Sequence, residues 1–382
     1  MHHHCVRDGA FYGSTAKYAK PENLLARARV GLTHDSGYNA TSIEHMRVLL
    51  TGGAGYVGSH TAKELTRAGY EPVVFDNMRQ GHRWAVRWGP LIEMDLSDRD
   101  GLTSAVRKHG IGAVIHFAAF AYVGESTHRP AEYFRNNVVN TLNLLDAMRA
   151  NSVNAIVFSS TCAVYGNPEQ IPVAEDHPQE PLSPYGESKR MVERMLAWHE
   201  RAYGMSWTAL RYFNAAGADP DGELGEVHDP ETHLIPRAIA AAYGDLPEVE
   251  VFGSDYPTSD GTAIRDYVHV SDLASAHVKA LNRLFDRGPT GAFNLGTGRG
   301  YSVREVISMV EQVNGRTVRV REMPRRMGDP PKLIADATRA RRELGWVPRN
   351  SELRQIVETA SRWYGRFRSS GTTGASRDST AQ

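Results

Sequence analysis

The chain has 382 residues, 41% of them hydrophobic, and its 44 Lys and Arg are matched by 44 Asp and Glu, so its formal net charge is zero. Such a length can bury a large core in one α/β domain or two lobes, while the charge balance argues against a nucleic-acid partner or an anionic membrane surface and makes any anion site a local one. Two cysteines, Cys5 and Cys162, argue against a disulfide framework and for a reducing cytoplasm, and no apolar run reaches the length of a membrane span. Residues 1–45 mix Gly, Ser, Thr and Asn with both signs of charge and lack the apolar core of a secretory signal, so a disordered N-terminal extension is expected. Within it, His2 to His4 read as a solvated terminus, and no metal site is assigned anywhere in the chain.

From Met46 the text changes character. Arg47-Val48-Leu49-Leu50-Thr51 reads as a short strand, followed by the glycines Gly52, Gly55 and Gly58 and then a helix through about Ala68. Strand, glycine-rich turn and helix in that order make a diphosphate cradle: the glycines allow a tight turn and close backbone approach, and the helix N-terminus supplies amide donors. A second strand, Pro72 to Phe75, ends at Asp76, where a carboxylate accepts hydrogen bonds from the adenosine ribose. NAD is therefore expected rather than NADP, with Arg79 and Arg83 the only nearby candidates for a 2′-phosphate. The alternation continues through strands at Leu91–Met94, Ala113–Phe117 and Ala155–Ser159 and helices near Asp98–His109 and Pro130–Ala150. It predicts an α/β, Rossmann-type doubly wound parallel sheet with its ligands at the strand C-termini, where Asp95 and Ala118 fall. His116, on an apolar strand, reads as a buried structural imidazole. The expected organisation is a cofactor domain over 46–214, a mainly substrate-binding, smaller α+β lobe over 215–365, and a disordered tail over 366–382.

The stretch that carries chemistry is Ser183-Pro184-Tyr185-Gly186-Glu187-Ser188-Lys189. Serine as cap and proline in the first turn predict a helix start, which sets Tyr185 and Lys189 one turn apart on one face. An ammonium beside a phenol favours the phenolate, so Tyr185 is the expected general base. Thr161 follows a strand end on the same sheet edge and is placed to bridge Tyr185 to a substrate oxygen.

Read together, Thr51-Gly52-Gly53-Ala54-Gly55-Tyr56-Val57-Gly58-Ser59-His60, Phe158-Ser159-Ser160-Thr161, Val164-Tyr165-Gly166, Tyr185-Gly186-Glu187-Ser188-Lys189 and Arg211-Tyr212-Phe213-Asn214 resemble the extended short-chain dehydrogenase/reductase superfamily, and within it the nucleotide-sugar 4-epimerases. The resemblance runs from Met46 to about Tyr364. It implies an isomerase in which bound NAD oxidises C4 of a UDP-sugar while the tyrosinate takes the O4 proton, after which the 4-keto sugar turns over and is reduced on its other face. UDP-galactose and UDP-glucose are the expected pair, with UDP-xylose and UDP-arabinose as the alternative. A catalytically silent NAD-binding regulatory protein is a further reading, against which both Tyr185 and Lys189 are present. A 4,6-dehydratase would need carboxylates after the catalytic threonine, where this chain has Cys162 and Ala163.

By the same resemblance, Lys189 lowers the Tyr185 pKa and holds the cofactor ribose. NAD contacts fall to Gly52, Gly55, Tyr56, Val57, Gly58, Asp76, Asn77, Asp95, Leu96, Phe117, Ala118, Ala119, Asn136, Tyr185, Lys189 and Phe213. Thr161, Tyr185, Asn214, His233, Leu234, Val251, Phe252, Arg265, Arg326 and Asp329 are implied as substrate contacts, with the arginines suited to a diphosphate. The chain departs from the family pattern at Thr161, usually serine, and at Ala121, often a lysine that reaches NAD. His233 replaces a frequent asparagine, and Leu333 stands where the family sets its tolerance of N-acetylated sugars. A homodimer is expected through the apolar helix faces around Asn137–Met148 and Met191–Trp198.

Overall fold

The computed structural model describes residues 45–326 and 328–369. Their centre is a seven-stranded sheet in the order Gly291–Leu295, Ser206–Tyr212, Ala155–Thr161, Ala113–His116, Arg47–Thr51, Glu71–Asp76, Leu91–Glu93. Every neighbouring pair in it is parallel. Such a sheet is covered on both faces, which is why its inner strands read as unbroken apolar runs rather than alternating ones. Val48, Leu49 and Leu50 are all fully buried, Val48 and Leu50 in one core cluster and Leu49 in another. Each such side chain contributes on the order of 1.5–3 kcal/mol through its removal from water.

The strand order reverses between Arg47–Thr51 and its two neighbours, and the first crossover helix, Tyr56–Arg67, starts at that switch point. Its approach depends on Gly58: a Cβ there would lie 2.4 Å from the Gly52 carbonyl oxygen. Gly52 itself has φ +72° and packs so tightly on the backbone of Ala118 that no side chain fits.

Expected and observed elements agree closely in the first half, and two differences, one there and one near the end of the chain, have physical causes. The single helix expected over 130–150 is broken by a π-helical segment, Arg135–Val139, between Pro130–Phe134 and Asn140–Ala150. The wider turn presents Asn137, whose side chain accepts from the Phe120 amide at 2.8 Å and donates to the Phe120 carbonyl and to Ser188 Oγ, each at 3.0 Å. The tail expected over 366–382 is corrected at its start. Helix Leu353–Ser369 continues through it, because Trp363 and Phe367 stack on one another and on Trp84. Residues 370–382, like 1–44, lie outside the described residues.

The chain after Asn214 does not stay apart from the first sheet: helix Val270–Phe285 packs on it and Gly291–Leu295 completes its edge. The remaining strands make a small sheet of Asn214–Ala216, Ile264–His269, Gly300–Ser302 and Lys332–Leu333, and a parallel pair, Val249–Phe252 with Val320–Met323. Helices Leu234–Ala242, Val303–Asn314 and Leu353–Ser369 close a separate apolar core around Ile239, Val306 and Ile356. Among the described residues no helix is long and apolar enough to cross a membrane.

Among the described residues, His60, His116, His269 and His277 are buried as neutral rings. His116 lies between Thr51 Oγ1 at 2.6 Å and Thr141 Oγ1 at 2.8 Å, as a structural imidazole should. Burial pulls its pKa down to about 3 and those of His60, His269 and His277 down to about 4. An unfolded imidazole titrates near 6.5, so the unfolded chain takes up protons first as the pH falls. The stability these rings contribute is whole above about pH 7 and declines below 6.5 by about 1.4 kcal/mol per pH unit for each histidine until its folded pKa is reached. Urea unfolding between pH 4 and 8 should show this acid slope, and His277→Leu should reduce it by one histidine's share; an unchanged slope would contradict the assignment.

Candidate active site

The helix that carries Tyr185 begins as the sequence predicts. Ser183 Oγ accepts from the Gly186 amide at 3.2 Å, Pro184 fills the first turn, and the helix runs to Tyr203. Gly186 decides how close it comes to the sheet, since a Cβ there would meet the Ala163 carbonyl oxygen at 2.6 Å. The close approach brings Tyr185 against the turn at Thr161, whose side chain works against the effect of burial on the phenol. One turn on, Lys189 Nζ donates to the Ser159 carbonyl at 2.8 Å and lies 5.9 Å from the centre of the Tyr185 ring.

The electrostatics of this pair differ from the expectation that Lys189 draws the phenol down. Both groups are buried, and burial disfavours each charged form. It pushes Tyr185 well above the ordinary tyrosine value, with the Thr161 side chain opposing, and it pulls Lys189 down to about 7 against the charge of Glu193. In this state Tyr185 holds its proton and Lys189 is poised near neutrality. Removing the phenolic proton therefore needs further positive charge beside the ring.

Behind the pair is a buried network. Arg211 Nε and Nη2 reach the two Glu193 oxygens at 2.9 and 2.5 Å, and Ser160 Oγ donates to Glu193 Oε1 at 2.5 Å. Arg211 Nη1 donates to the Tyr165 hydroxyl at 2.8 Å, and that hydroxyl donates to Asn294 Oδ1 at 2.6 Å. The network joins three strands to the helix of Tyr185 and Lys189. It also accounts for motifs to which the sequence assigns no physical role, Val164-Tyr165-Gly166, Arg211 and Asn294 among them. Glu193 was missed; its signal was its place four residues after Lys189 on the same helical face.

All sixteen residues expected to touch NAD line one cavity of about 330 Å³ at the C-terminal edge of the strands. The turn Gly52–Gly58 and the first amides of the following helix form its floor, while the Asp76 carboxylate is held by the amides of Ala54 at 3.0 Å and Met78 at 2.9 Å. Asn77 donates to Asp95 at 2.6 Å, fixing two more of these residues. The donor set suits a dinucleotide: amides for a diphosphate and a fixed carboxylate for a ribose. Ala121 lines the cavity too, as does Arg79, whose guanidinium lies 4.5 Å from the Phe120 ring centre, whereas Arg83 pairs with Glu93.

Thr161, Asn214 and His233 of the substrate set line the same cavity, together with Tyr185. Leu234, Val251, Phe252, Arg265, Arg326 and Asp329 are not brought to its walls. Arg265 pairs with Asp329, and Arg326 lies 3.8 Å over the Phe252 ring, so four of these six form two adjacent pairs in the second half of the chain. Val251 is in the apolar core, which leaves its backbone as the available contact. Leu333 is buried beside Cys162, Val164, Tyr165 and Phe213. The cavity also takes in Ser159, Tyr212, Glu226 and His228, which sequence reasoning did not single out as site residues. Ser159 Oγ and the Tyr212 hydroxyl share a short hydrogen bond beside the Lys189 contact.

Residues 48–296 match the model of the NAD dependent epimerase/dehydratase family. The chain belongs to that family. It is 50% identical over 317 residues to the UDP-glucose 4-epimerase of Rhizobium leguminosarum bv. trifolii, covering 83% of this chain and 97% of that protein. Among solved structures it resembles the UDP-glucose 4-epimerase of Brucella ovis in complex with NAD, with TM-score 0.82, 53% identity and coverage of 84% and 98% of the two chains. It also resembles that of Stenotrophomonas maltophila with bound NAD and formylated UDP-arabinopyranose, with TM-score 0.82, 41% identity and coverage of 85% and 100%. In this epimerase/dehydratase family member the dehydratase half of the description lacks support at the site, where Cys162 and Ala163 offer no carboxylate beside Thr161.

The Arg211–Glu193 pair is almost wholly buried, so truncating one partner strands the other. Glu193→Ala should lose about 3–5 kcal/mol in urea unfolding. Glu193→Gln, which keeps the packing and a hydrogen-bond acceptor, should lose less; equal losses would show that the charge alone carries the effect.

Proposed function

We propose that the chain is a UDP-glucose 4-epimerase that interconverts UDP-galactose and UDP-glucose with tightly bound NAD. The observation that carries this reading is that Tyr185, Thr161 and, one turn away, Lys189 line the same cavity as the Gly52–Gly58 turn and Asp76. NAD, when bound, supplies reversible oxidation at C4 of the sugar. The chain's own groups handle the proton. Tyr185 takes it from O4 and returns it, Thr161 shares the hydrogen bond at that oxygen, and the Lys189 ammonium, anchored on the Ser159 carbonyl, supplies positive charge that offsets the burial of the phenol. Residues 46–214 carry the cofactor contacts assigned above, and 215–365 mainly the substrate contacts. Of the latter, Arg265, Arg326 and Asp329 offer the charge for a nucleoside diphosphate and its ribose.

A pentose is the second reading, since a relative of this chain holds formylated UDP-arabinopyranose. The purified protein, without added NAD, should be given UDP-galactose and UDP-arabinose in equal amounts and its products followed over time. UDP-glucose should appear first, and Tyr185→Phe should be slower by about 10²–10⁴-fold. UDP-xylose appearing first would keep the mechanism and change the substrate. No turnover with NAD present would favour a silent NAD-binding protein. With Leu333 at the position that sets pocket width, UDP-N-acetyl sugars should react weakly or not at all.

The protein is further expected to act in the cytoplasm as a homodimer. Val139, Leu142, Met191, Trp198 and Tyr203 are large apolar side chains left exposed on the helices around residues 135–150 and 184–203, with Trp198 63% exposed. Exposed apolar side chains on two helices supply what a second copy of the chain would cover. Light scattering after gel filtration should give the dimer mass for the native chain and the monomer mass for Leu142→Glu with Trp198→Glu; a native monomer would refute the pairing.

A further inference from the structure

A second cluster of ionisable side chains sits at the mouth of the cavity and is not used by the proton chemistry of Tyr185. Glu226, His228, Glu231 and His233 follow one another within eight residues, and one ligand-type atom from each lies within 4.8 Å of all the others. Carboxylates and imidazoles alternate around a closed ring. His228 Nδ1 is 3.3 Å from Glu226 Oε1 and 3.4 Å from Glu231 Oε2, while His233 Nδ1 is 2.7 Å from Glu226 Oε1 and 3.1 Å from Glu231 Oε1.

Three features separate this ring from an ordinary patch of surface ion pairs. Both imidazoles turn the same nitrogen, Nδ1, toward the carboxylates, Glu226 meeting them through Oε1 and Glu231 through both of its oxygens. The nearest arginine does not neutralise the carboxylates: Arg237 donates to the Glu231 carbonyl at 3.3 Å and to the Glu250 side chain at 3.4 Å. The ring is also held from outside. Glu231 Oε1 accepts from the amides of Thr232 and His233, both at 2.8 Å, and Tyr56 and Tyr122 lie edge-on to His228, each with ring centres 6.4 Å away. Outer contacts of this kind orient the ligands of a metal site.

A tetrahedral zinc ion with bonds of about 2.0–2.2 Å to nitrogen and oxygen sets its ligand atoms about 3.3–3.5 Å apart. Both edges at His228, 3.3 and 3.4 Å, have that spacing, while those at His233, 3.1 and 2.7 Å, are shorter and would lengthen as the ion replaces the bridging proton. Two carboxylates and two neutral imidazoles give a neutral site around a divalent ion, which suits a partly buried place.

We propose that Glu226, His228, Glu231 and His233 form a divalent-cation site, with zinc the fitting ion, that staples the 226–233 loop at the mouth of the cofactor cavity. Four protein ligands fill a tetrahedral shell, so the ion is structural and opens no position for substrate. The staple bears on the cavity because Glu226, His228 and His233 line it, and because His82 Nε2 lies 3.0 Å from the Val227 carbonyl in the same loop. His233 keeps Nε2 as its one nitrogen for a substrate. The assignment holds whichever UDP-sugar the enzyme takes.

The test is metal content. The full chain and two variants, His228→Asn and Glu226→Gln, are incubated with excess zinc chloride, desalted, and analysed by plasma mass spectrometry. His2–His4 is the same in all three, so any uptake there cancels. The native chain should retain about one zinc more per chain than either variant, and cobalt in place of zinc should give the native chain alone the strong visible band of a four-coordinate ion. Circular dichroism identifies a variant that has lost its fold, in which case Glu231→Gln replaces it. Equal zinc in native and variant chains, or no cobalt band, overturns the proposal and leaves the ring a cluster of proton-bridged ion pairs.

Discussion

The arrangement of the site depends on one buried ion pair, Arg211 with Glu193. Taking two full charges out of water costs several kcal/mol per ion, and the cost is offset only when each charge meets its partners in good geometry. Here both guanidinium edges are used, by Glu193, Tyr165 and the Glu175 carbonyl, and Glu193 receives Ser160 as well. The pair thereby ties the strand that ends at Thr161, the segment after it that holds Tyr165 and Glu175, the strand that carries Arg211 and the helix of Tyr185. A shift of any of these elements by a fraction of an ångström would leave a charge short of a partner. The catalytic hydroxyls inherit that precision, since Thr161 directly follows Ser160 and Tyr185 lies on the same helix as Glu193.

A second constraint works by exclusion of volume. Gly58 against the Gly52 carbonyl and Gly186 against the Ala163 carbonyl are places where two backbones meet without room for a methyl group. The first brings a helix N-terminus down onto the sheet edge, and the second brings the helix of Tyr185 up to the threonine turn. Both ends of the chemistry, phosphate binding and proton transfer, thus rest on backbone contact. Side chains then supply only the charge and the hydroxyls.

How much of this could be read in the sequence follows from whether a feature is local. The cap Ser183, the proline after it and the four-residue step from Tyr185 to Lys189 are local, and the helix stands where they put it. The glycine turn and Asp76 are local to one strand–helix–strand unit, and each of the residues expected around the dinucleotide lines one cavity. Features that depend on distant partners were not legible. Nothing near Asn137 announces a π turn, because its partners at Phe120 and Ser188 are remote in sequence. The continued helix at 366–369 depends on Trp84, nearly three hundred residues earlier. The burial that opposes Lys189 at Tyr185 was hidden for a related reason: a spacing reports proximity, while the pKa depends also on how much water the whole fold removes. The ring of Glu226, His228, Glu231 and His233 is the opposite case. It lies within eight residues, yet its spacing fits no regular element, and it becomes visible only when the loop is folded.

The strand order carries a consequence for how the protein is made. Gly291–Leu295 is the last strand of the main sheet in sequence and lies at its edge, beside Ser206–Tyr212. On a ribosome, the other six strands are complete while roughly eighty further residues are still to be added. Through that interval Ser206–Tyr212 is an open edge, and the Tyr165 hydroxyl lacks Asn294. An uncovered parallel edge rich in apolar residues is a template for wrong pairing. Helix Val270–Phe285, which emerges just before the missing strand, has ten buried residues, six of them in the apolar core against the sheet. Its early docking would shorten the search of the final strand for its edge.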